Sequence, residues 1–200
     1  MHAFCDKVRE LMDDLRQQAA GIAGKKIFLH ICCAPCSIYT VKQLRREGAE
    51  VSGYFYNPNI HPYTEFEKRL ATLHEYAKII LLPLVVDPSY ELEAFLSGAL
   101  TTGNDRCLFC YRMRLERAFQ KAAEGGFDGL TTTLLYSRRQ RHNDIRMIGD
   151  ELSAVYGIPF VYRDLRTGWQ EGINESKRLN MYRQPYCGCI FSEKERYGGK

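Results

Sequence analysis

Lys26-Ile27-Phe28-Leu29-His30-Ile31, running straight into Cys32-Cys33-Ala34-Pro35-Cys36-Ser37, is the stretch that decides the fold. Its first half is an apolar run too short for a helix, and it reads as a buried strand. Ser37–Glu47 follows with helical spacing and is closed by Gly48, and Val51–Tyr56 is a second apolar run. Strand, helix, strand in about 30 residues is a βαβ unit. The alternation continues downstream. A helix is expected over Tyr63–Lys78, then a strand over Ile79–Val86 interrupted by Pro83. Helices Tyr90–Leu100 and Tyr111–Ala123 flank the loop Arg106-Cys107-Leu108-Phe109-Cys110. Strand Gly129–Leu134, a helix near Asn143–Tyr156 and strand Ile158–Tyr162 follow. Upstream, Phe4, Val8, Leu11 and Leu15 share one helical stripe ended by Gly21 and Gly24. The pattern predicts an α/β protein with a three-layer, open, mostly parallel, Rossmann-like sheet. One domain spans 1–200, with 1–24 a helical extension and 168–200 an irregular segment carrying Cys187 and Cys189.

Composition narrows the class. Two hundred residues with 45% hydrophobic and 26% charged content are ordinary for a globular domain, which rules out disorder for most of the chain. No run of about 18 apolar residues is present, so no transmembrane helix is expected. The N-terminal stretch MHAFCDKVRELMDDL carries acids and no apolar h-region, so it does not read as a secretory signal. The net charge of +4 permits a nucleic-acid partner without demanding one. Eight cysteines invite a disulfide-stapled reading, but such scaffolds are short and secreted. A reducing cytoplasm fits better, and there cysteines serve as ligands or redox groups.

Seven of the eight fall into three groups: Cys32, Cys33 and Cys36 after the first strand, Cys107 and Cys110 before a helix, and Cys187 and Cys189 near the C-terminus. Cys5 stands apart and reads as a structural or incidental thiol. Ligands of an open parallel sheet sit at the C-terminal edge of its strands, so three cysteine-rich loops on separate elements are expected to meet there. Cys36 and Cys110 precede predicted helices, whose positive N-terminal dipole would make both thiols acidic. Four chemistries compete. Two CxxC pairs suit a structural zinc; scattered thiolates suit an iron–sulfur cluster; a cluster with a second redox unit uses all seven; a thioredoxin-like dithiol would use CAPC alone. Adjacent side chains of an extended chain point to opposite faces. Cys32 and Cys33 can therefore share a centre only if the strand has already turned. Cys187 and Cys189 are compatible either with a tight, easily reduced disulfide ring across Gly188 or with a chelating pair.

The stretches LHICCAPCS, YFYNPNIHPYTEFEKR, RCLFCYRMRLERA, FDGLTTTLLYSRRQRHNDI and MYRQPYCGCIFS, in that order over about Ile27 to Ser192, resemble the non-cobalamin epoxyqueuosine reductases, the QueH family. The resemblance implies an adenine nucleotide alpha hydrolase-like fold whose first loop holds thiolates in place of phosphate. It implies reduction of epoxyqueuosine to queuosine in the anticodon loop of tRNA, the last step of that modification. It also implies a 4Fe–4S cluster on Cys32, Cys33, Cys107 and Cys110, with Cys36 as a further metal-site cysteine, and Cys187 and Cys189 as the redox pair. Beside the cluster a second, mononuclear iron is carried as an expectation. No flavin or nicotinamide motif is visible, so an external donor such as a ferredoxin or flavodoxin is expected.

Around that chemistry, Asp87 and His142 are candidate catalytic residues. Asp87 follows the third strand and could instead cap the next helix; His142 lies in Arg138-Arg139-Gln140-Arg141-His142 before a helix and could instead be a helix-cap or surface histidine. His30 reads as a hydrogen-bonded core residue and His61 as a loop residue. Arg138, Arg139, Arg141 and Arg146, with Arg163, Arg166, Arg178 and Arg183 later, are candidate phosphate contacts. Of the tyrosines, Tyr111, Tyr182 and Tyr186 are the candidates for stacking unpaired bases. Two rivals stand: a zinc-stabilised tRNA-binding protein without redox chemistry, and an iron–sulfur sulfur-transfer enzyme on tRNA.

Overall fold

The computed structural model describes Asp13 and residues 21–199. The N-terminal helix, with Cys5, therefore lies outside the described residues. The elements in chain order are β1 (Lys26–His30), α1 (Ala34–Arg46), β2 (Glu50–Phe55), α2 (Tyr63–Ile79), β3 (Leu84–Val86), α3 (Leu92–Thr101), α4 (Arg106–Glu124), β4 (Gly129–Thr132), α5 (His142–Tyr156), α6 (Trp169–Arg178) and α7 (Ile190–Tyr197). The strands form one parallel sheet in the order β3-β2-β1-β4. In its register Ile27 sits opposite both Val51 and Gly129, and Tyr54 opposite Val85.

Alternation along β1 feeds two separate cores. Ile27 and Leu29 point to one face, with Ile38, Val41 and Leu44 of α1 and Phe66 and Leu73 of α2. Phe28 points to the other, with Leu115 and Phe119 of α4 and Ile145 and Ile148 of α5. A central parallel strand covered on both faces must be apolar at successive positions, which is why KIFLHI reads as one run. Helices on both faces of the sheet make the three layers expected.

Four stretches differ from the sequence reading. Arg106-Cys107-Leu108-Phe109-Cys110 is not a loop but the first turn of α4. The third strand is reduced to Leu84–Val86 beyond Pro83, and the fifth to a single bridge between Leu130 and Phe160; Pro83 and Pro159 have no N–H to give a ladder. The C-terminal stretch carries two helices, α6 and α7. Among the described residues no helix is long and apolar enough to cross a membrane.

Candidate metal centre

The chain winds outward from β1 through β2 to β3 and then crosses back to place β4 on the other side of β1, so the winding sense reverses at β1. That reversal opens a crevice at the C-terminal end of β1, the position where such sheets bind ligands. The first cysteine group sits there. β1 ends at His30, and Cys33 is the extended residue before α1, with Pro35 in the helix's first turn. The strand has therefore turned before the pair, and Cys32, Cys33 and Cys36 converge with ligand atoms all within 4.8 Å of one another. The Sγ atoms of Cys32 and Cys33 are 3.8 Å apart and those of Cys33 and Cys36 2.8 Å apart; all seven described cysteines are free thiols.

Polar side chains from two further segments address these sulfurs. The Thr133 hydroxyl, just past β4, accepts from the Cys32 N–H at 3.0 Å and donates to Cys32 Sγ at 3.2 Å. Gln184 from the C-terminal segment donates to Cys33 Sγ at 2.8 Å. Hydrogen bonds from Cys33 and Cys36 hold the Cys32 thiol well below its ordinary pKa, against burial and with help from Arg114 and Thr133. Burial pushes Cys33 up, and the bonds Cys36 makes to its two neighbours push it up as well. The acidic thiol of this group is Cys32, not Cys36 as the helix position suggests: three crowded sulfurs share one favoured thiolate.

The second group joins α4 to the C-terminal loop. Cys107 and Cys110 are one turn apart at the start of α4, and Cys187 and Cys189 lie close enough for their charges to act on both. Burial pushes Cys110 up to about 12 and outweighs the opposing Arg114. This corrects the expectation of an acidic Cys110, since desolvation wins over the helix dipole. Burial raises Cys107, and close packing around its sulfur raises Cys187 although the residue as a whole is exposed. Gln140 donates to Cys187 Sγ at 3.3 Å and is itself held by the Tyr111 hydroxyl at 2.7 Å. Arg69, buried in α2, donates to the carbonyls of Cys187 at 2.9 Å and Tyr186 at 3.2 Å. His61 N–H donates to the Gly188 carbonyl at 2.8 Å. Gly188 has φ +152, and a Cβ there would lie 3.0 Å from Asn59 Nδ2, so the turn between the two cysteines needs glycine.

The other candidates are placed as follows. Tyr111 is buried, with its hydroxyl on Gln140 and the Arg141 N–H, so it is a support and not a stacking surface. Tyr182 and Tyr186 are half-buried, their hydroxyls bonded to Glu65 and to the His61 carbonyl. Asp87 receives Ser89 N–H and Oγ and pairs with Arg117 at 3.1 Å; although burial opposes it, these bonds hold the carboxyl below its ordinary range. An ion-paired turn residue of this kind is a poor proton donor near neutrality, and no hydrogen bond among the described residues links Asp87 to a cysteine. His142 is buried at the start of α5 with Nε2 on the Ser137 carbonyl at 3.1 Å; Gln140, two residues earlier, is what reaches Cys187. His30 is a core residue as expected, bonded to Thr132 Oγ1 at 2.8 Å and the Tyr56 carbonyl at 3.2 Å. Burial holds it neutral, with a pKa of about 3. Arg138 and Arg139 are exposed. Arg141 pairs with Asp144 and Asp105, Arg146 with Asp150, Arg163 with Glu47, Arg166 with Asp164 and Arg178 with Glu175. A groove of about 850 Å³ between α1, α2 and α6, lined by Ile38, Tyr76 and Arg178 among others, holds no cysteine. Arg69, Arg114, Asn57, Thr133, Gln140 and Gln184 were not expected at the site.

Three thiols converge at the switch point of a parallel sheet, which makes the molecule an α/β protein with a candidate thiolate metal site. The U34-tRNA thiolase NcsA from Methanococcus maripaludis, solved with its 4Fe–4S cluster, superposes with a TM-score of 0.57 at 10% identity over 96% of this chain and 69% of that one, a likeness of fold alone. The family model for epoxyqueuosine reductase QueH matches residues 27–195. The epoxyqueuosine reductase QueH of Dehalococcoides mccartyi is 36% identical over 86% of this chain and 95% of that protein. That of Thermotoga maritima is 35% identical over 85% and 91%. The chain belongs to the QueH family.

Proposed function

We propose that this protein is an oxidoreductase that deoxygenates epoxyqueuosine to queuosine in tRNA, in the cytoplasm, with electrons from a ferredoxin or flavodoxin. The observation that carries the reading is the gathering of cysteines from three segments at one sheet edge, in a chain whose likeness to the QueH proteins spans most of its length. The donor set fits a thiophilic metal centre: three thiols lie within 4.8 Å, one of them already acidic, beside a buried cation, Arg114. Cys32 and Cys33 with Cys107 and Cys110 would hold a 4Fe–4S cluster. When bound, such a cluster supplies electrons one at a time. Cys36 would join Cys33 toward a second, single iron. The 3.8 Å between Cys32 and Cys33 supports their sharing one metal centre, since it matches the sulfur–sulfur edge of about 3.8 Å for tetrahedral bonds of about 2.3 Å to a zinc-like ion.

Epoxide to alkene takes up two electrons and two protons and releases water. Oxidation of the Cys187 and Cys189 thiols to a disulfide releases two electrons and two protons, so the pair balances one turnover and the external donor resets it. Arg69 and His61 hold the backbone of this pair, and Gln140 addresses the Cys187 sulfur. Cys187 is exposed, as a group that must reach a macromolecular substrate requires.

Anaerobic reconstitution tests the reading. Wild-type protein is expected to bind iron and sulfide, turn brown and convert epoxyqueuosine tRNA, scored by nucleoside mass. Changing Cys187 and Cys189 to Ala is expected to leave the iron and sulfide content intact and abolish turnover. Full turnover in that variant removes the pair from the chemistry, and a colourless zinc protein returns the structural-zinc reading.

A further inference from the structure

Among the described residues two arginines are fully buried, and they differ in how their charge is met. Arg69 carries Glu65 at 2.7 Å, both side chains being almost inaccessible. Arg114 is 2% exposed, and among the described residues no carboxylate pairs with it. Its Nη2 donates to Asn57 Oδ1 at 2.7 Å, its Nη1 lies 3.8 Å from Cys110 Sγ, and its Nε is buried with no partner. A guanidinium does not shed its proton in a protein. Buried and uncompensated, it costs several kcal/mol, so neighbouring groups must supply the opposite charge. The groups placed to meet it are sulfurs, Cys110, Cys32 and Cys187; of these Cys32 is the acidic thiol in the metal-free protein, and Cys110 would become anionic as a metal ligand.

The position is built from both sides. Arg114 lies one turn after Cys110 on α4, so the two share a helix face. Asn57, which Arg114 grips, donates through Nδ2 to the Ile31 carbonyl at 2.9 Å, directly before Cys32. The guanidinium thus ties the α4 cysteines to the end of β1, between the two thiol groups.

We infer that Arg114 is a positioning residue for the sulfur centre: a permanent interior cation whose counter-charge is the sulfur set itself, and which favours the more negative, reduced state of the iron–sulfur centre. The redox half of this rests on the function proposed above; the pairing of Arg114 with sulfur does not. Net charge near a cluster sets its potential, and a fixed positive charge in a low-dielectric site favours the added electron. Arg69 also bears on Cys33 and Cys187, but Glu65 offsets its charge, so Arg114 is the interior cation without a carboxylate partner among the described residues.

Two measurements test the assignment. In metal-free protein under anaerobic reducing conditions, denaturant unfolding is compared for wild type, Arg114→Met, Cys110→Ala and the double variant. The unfolding constants are expected to be non-additive by about tenfold, as for a hydrogen bond to a charged group; additivity within about twofold overturns the pairing. Should the Met variant not fold, Arg114→Gln closes the same cycle. In reconstituted protein with full iron and sulfide, Arg114→Met is expected to make one-electron reduction by a fixed donor about tenfold less favourable, a shift of about 59 mV. Arg114→Lys, which keeps the charge, is expected to stay near wild type. An unchanged potential in the Met variant, or a loss in Lys equal to that in Met, overturns the electrostatic role. If wild type takes up no iron and sulfide, the cluster reading falls, and the metal-free cycle alone decides Arg114.

Discussion

His61 shows how a single buried ring couples the C-terminal loop to pH. It is 2% exposed, packed on Phe95 and Tyr90, with its N–H on Gly188 and its Nδ1 accepting from Ile190 N–H. Burial lowers its pKa below the ordinary 6.5, with the Pro58 carbonyl opposing. The unfolded chain therefore binds a proton that the folded one refuses. The stability this contributes is complete above 6.5 and is lost as pH falls below it, with a slope of at most about 1.4 kcal/mol per pH unit. Unfolding free energies measured between about pH 7.5 and 5.5, the window in which histidines titrate, are expected to fall for wild type and to fall less steeply for His61→Gln. His30 titrates in the same direction and is present in both, so the difference isolates His61; parallel slopes would count against it. At this scale the sequence is legible where residue type and role agree: His30 on an apolar strand reads as core and is core. It misleads where environment outweighs position. Cys36 and Cys110 have the helix placement that acidifies a thiol, yet burial and crowding by other sulfurs raise both. Arg69 and Arg114 were missed because arginine is almost never interior unless paired. The available signal was the place of Arg114 on the stripe Cys107, Cys110, Tyr111, Arg114, Leu115, Ala118, Phe119, Ala122, whose members from Tyr111 onward are buried.

The same stripe, read at the scale of elements, would have started α4 at Arg106. A CxxC motif suggests a loop, but its spacing of three is also helical, and here the helix wins because Leu115 and Phe119 need a rigid face on the sheet. The short strands were overcalled because apolar content does not report a missing donor at Pro83 or Pro159. The polar composition of residues 169–178 hid α6, although Trp169, Gly172, Ile173 and Ser176 fall on one face. What fixes the cysteine loop onto this frame is α2, through Arg69. Removing it by Arg69→Ala leaves Glu65 buried and unpaired and is expected to cost about 3–5 kcal/mol. Replacing both members, Arg69→Met with Glu65→Leu, is expected to restore much of that stability while leaving the Tyr186 and Cys187 carbonyls without their donor. Trypsin should then cut after the exposed Arg183 in the double variant and spare it in wild type. Equal resistance would mean that the loop is held without Arg69.

For the whole molecule, the decisive feature is that the crevice at the end of β1 and the unpaired positive charge lie on neighbouring parts of one surface. Most arginines are spent locally: Arg112 on Glu151, Arg117 on Asp87, Arg166 on Asp164, Arg178 on Glu175. Among the described residues, no ion pair involves Arg138, Arg139 or Arg183. The charges of Arg138 and Arg183 both act on Tyr136, whose ring stacks on Trp169, and Arg138 itself lies 5.9 Å from the Trp169 ring centre. Gln184, next to Arg183, bonds Cys33, and Gln140, next to Arg139, bonds Cys187. A phosphate backbone held by these arginines would therefore be led to the sulfur edge, which the mild net charge of +4 does not reveal. Binding of tRNA measured over a range of salt is expected to weaken when Arg138 and Arg139 are changed to Ser. The slope of log K against log salt should flatten by roughly 0.7–0.9 per lost phosphate contact. Arg141→Ser should change it less, because that charge is already shared between Asp144 and Asp105. A slope that stays the same in the double variant, or that responds chiefly to Arg141, would move the RNA path away from this face and leave the exposed Cys187 to be reached from another side.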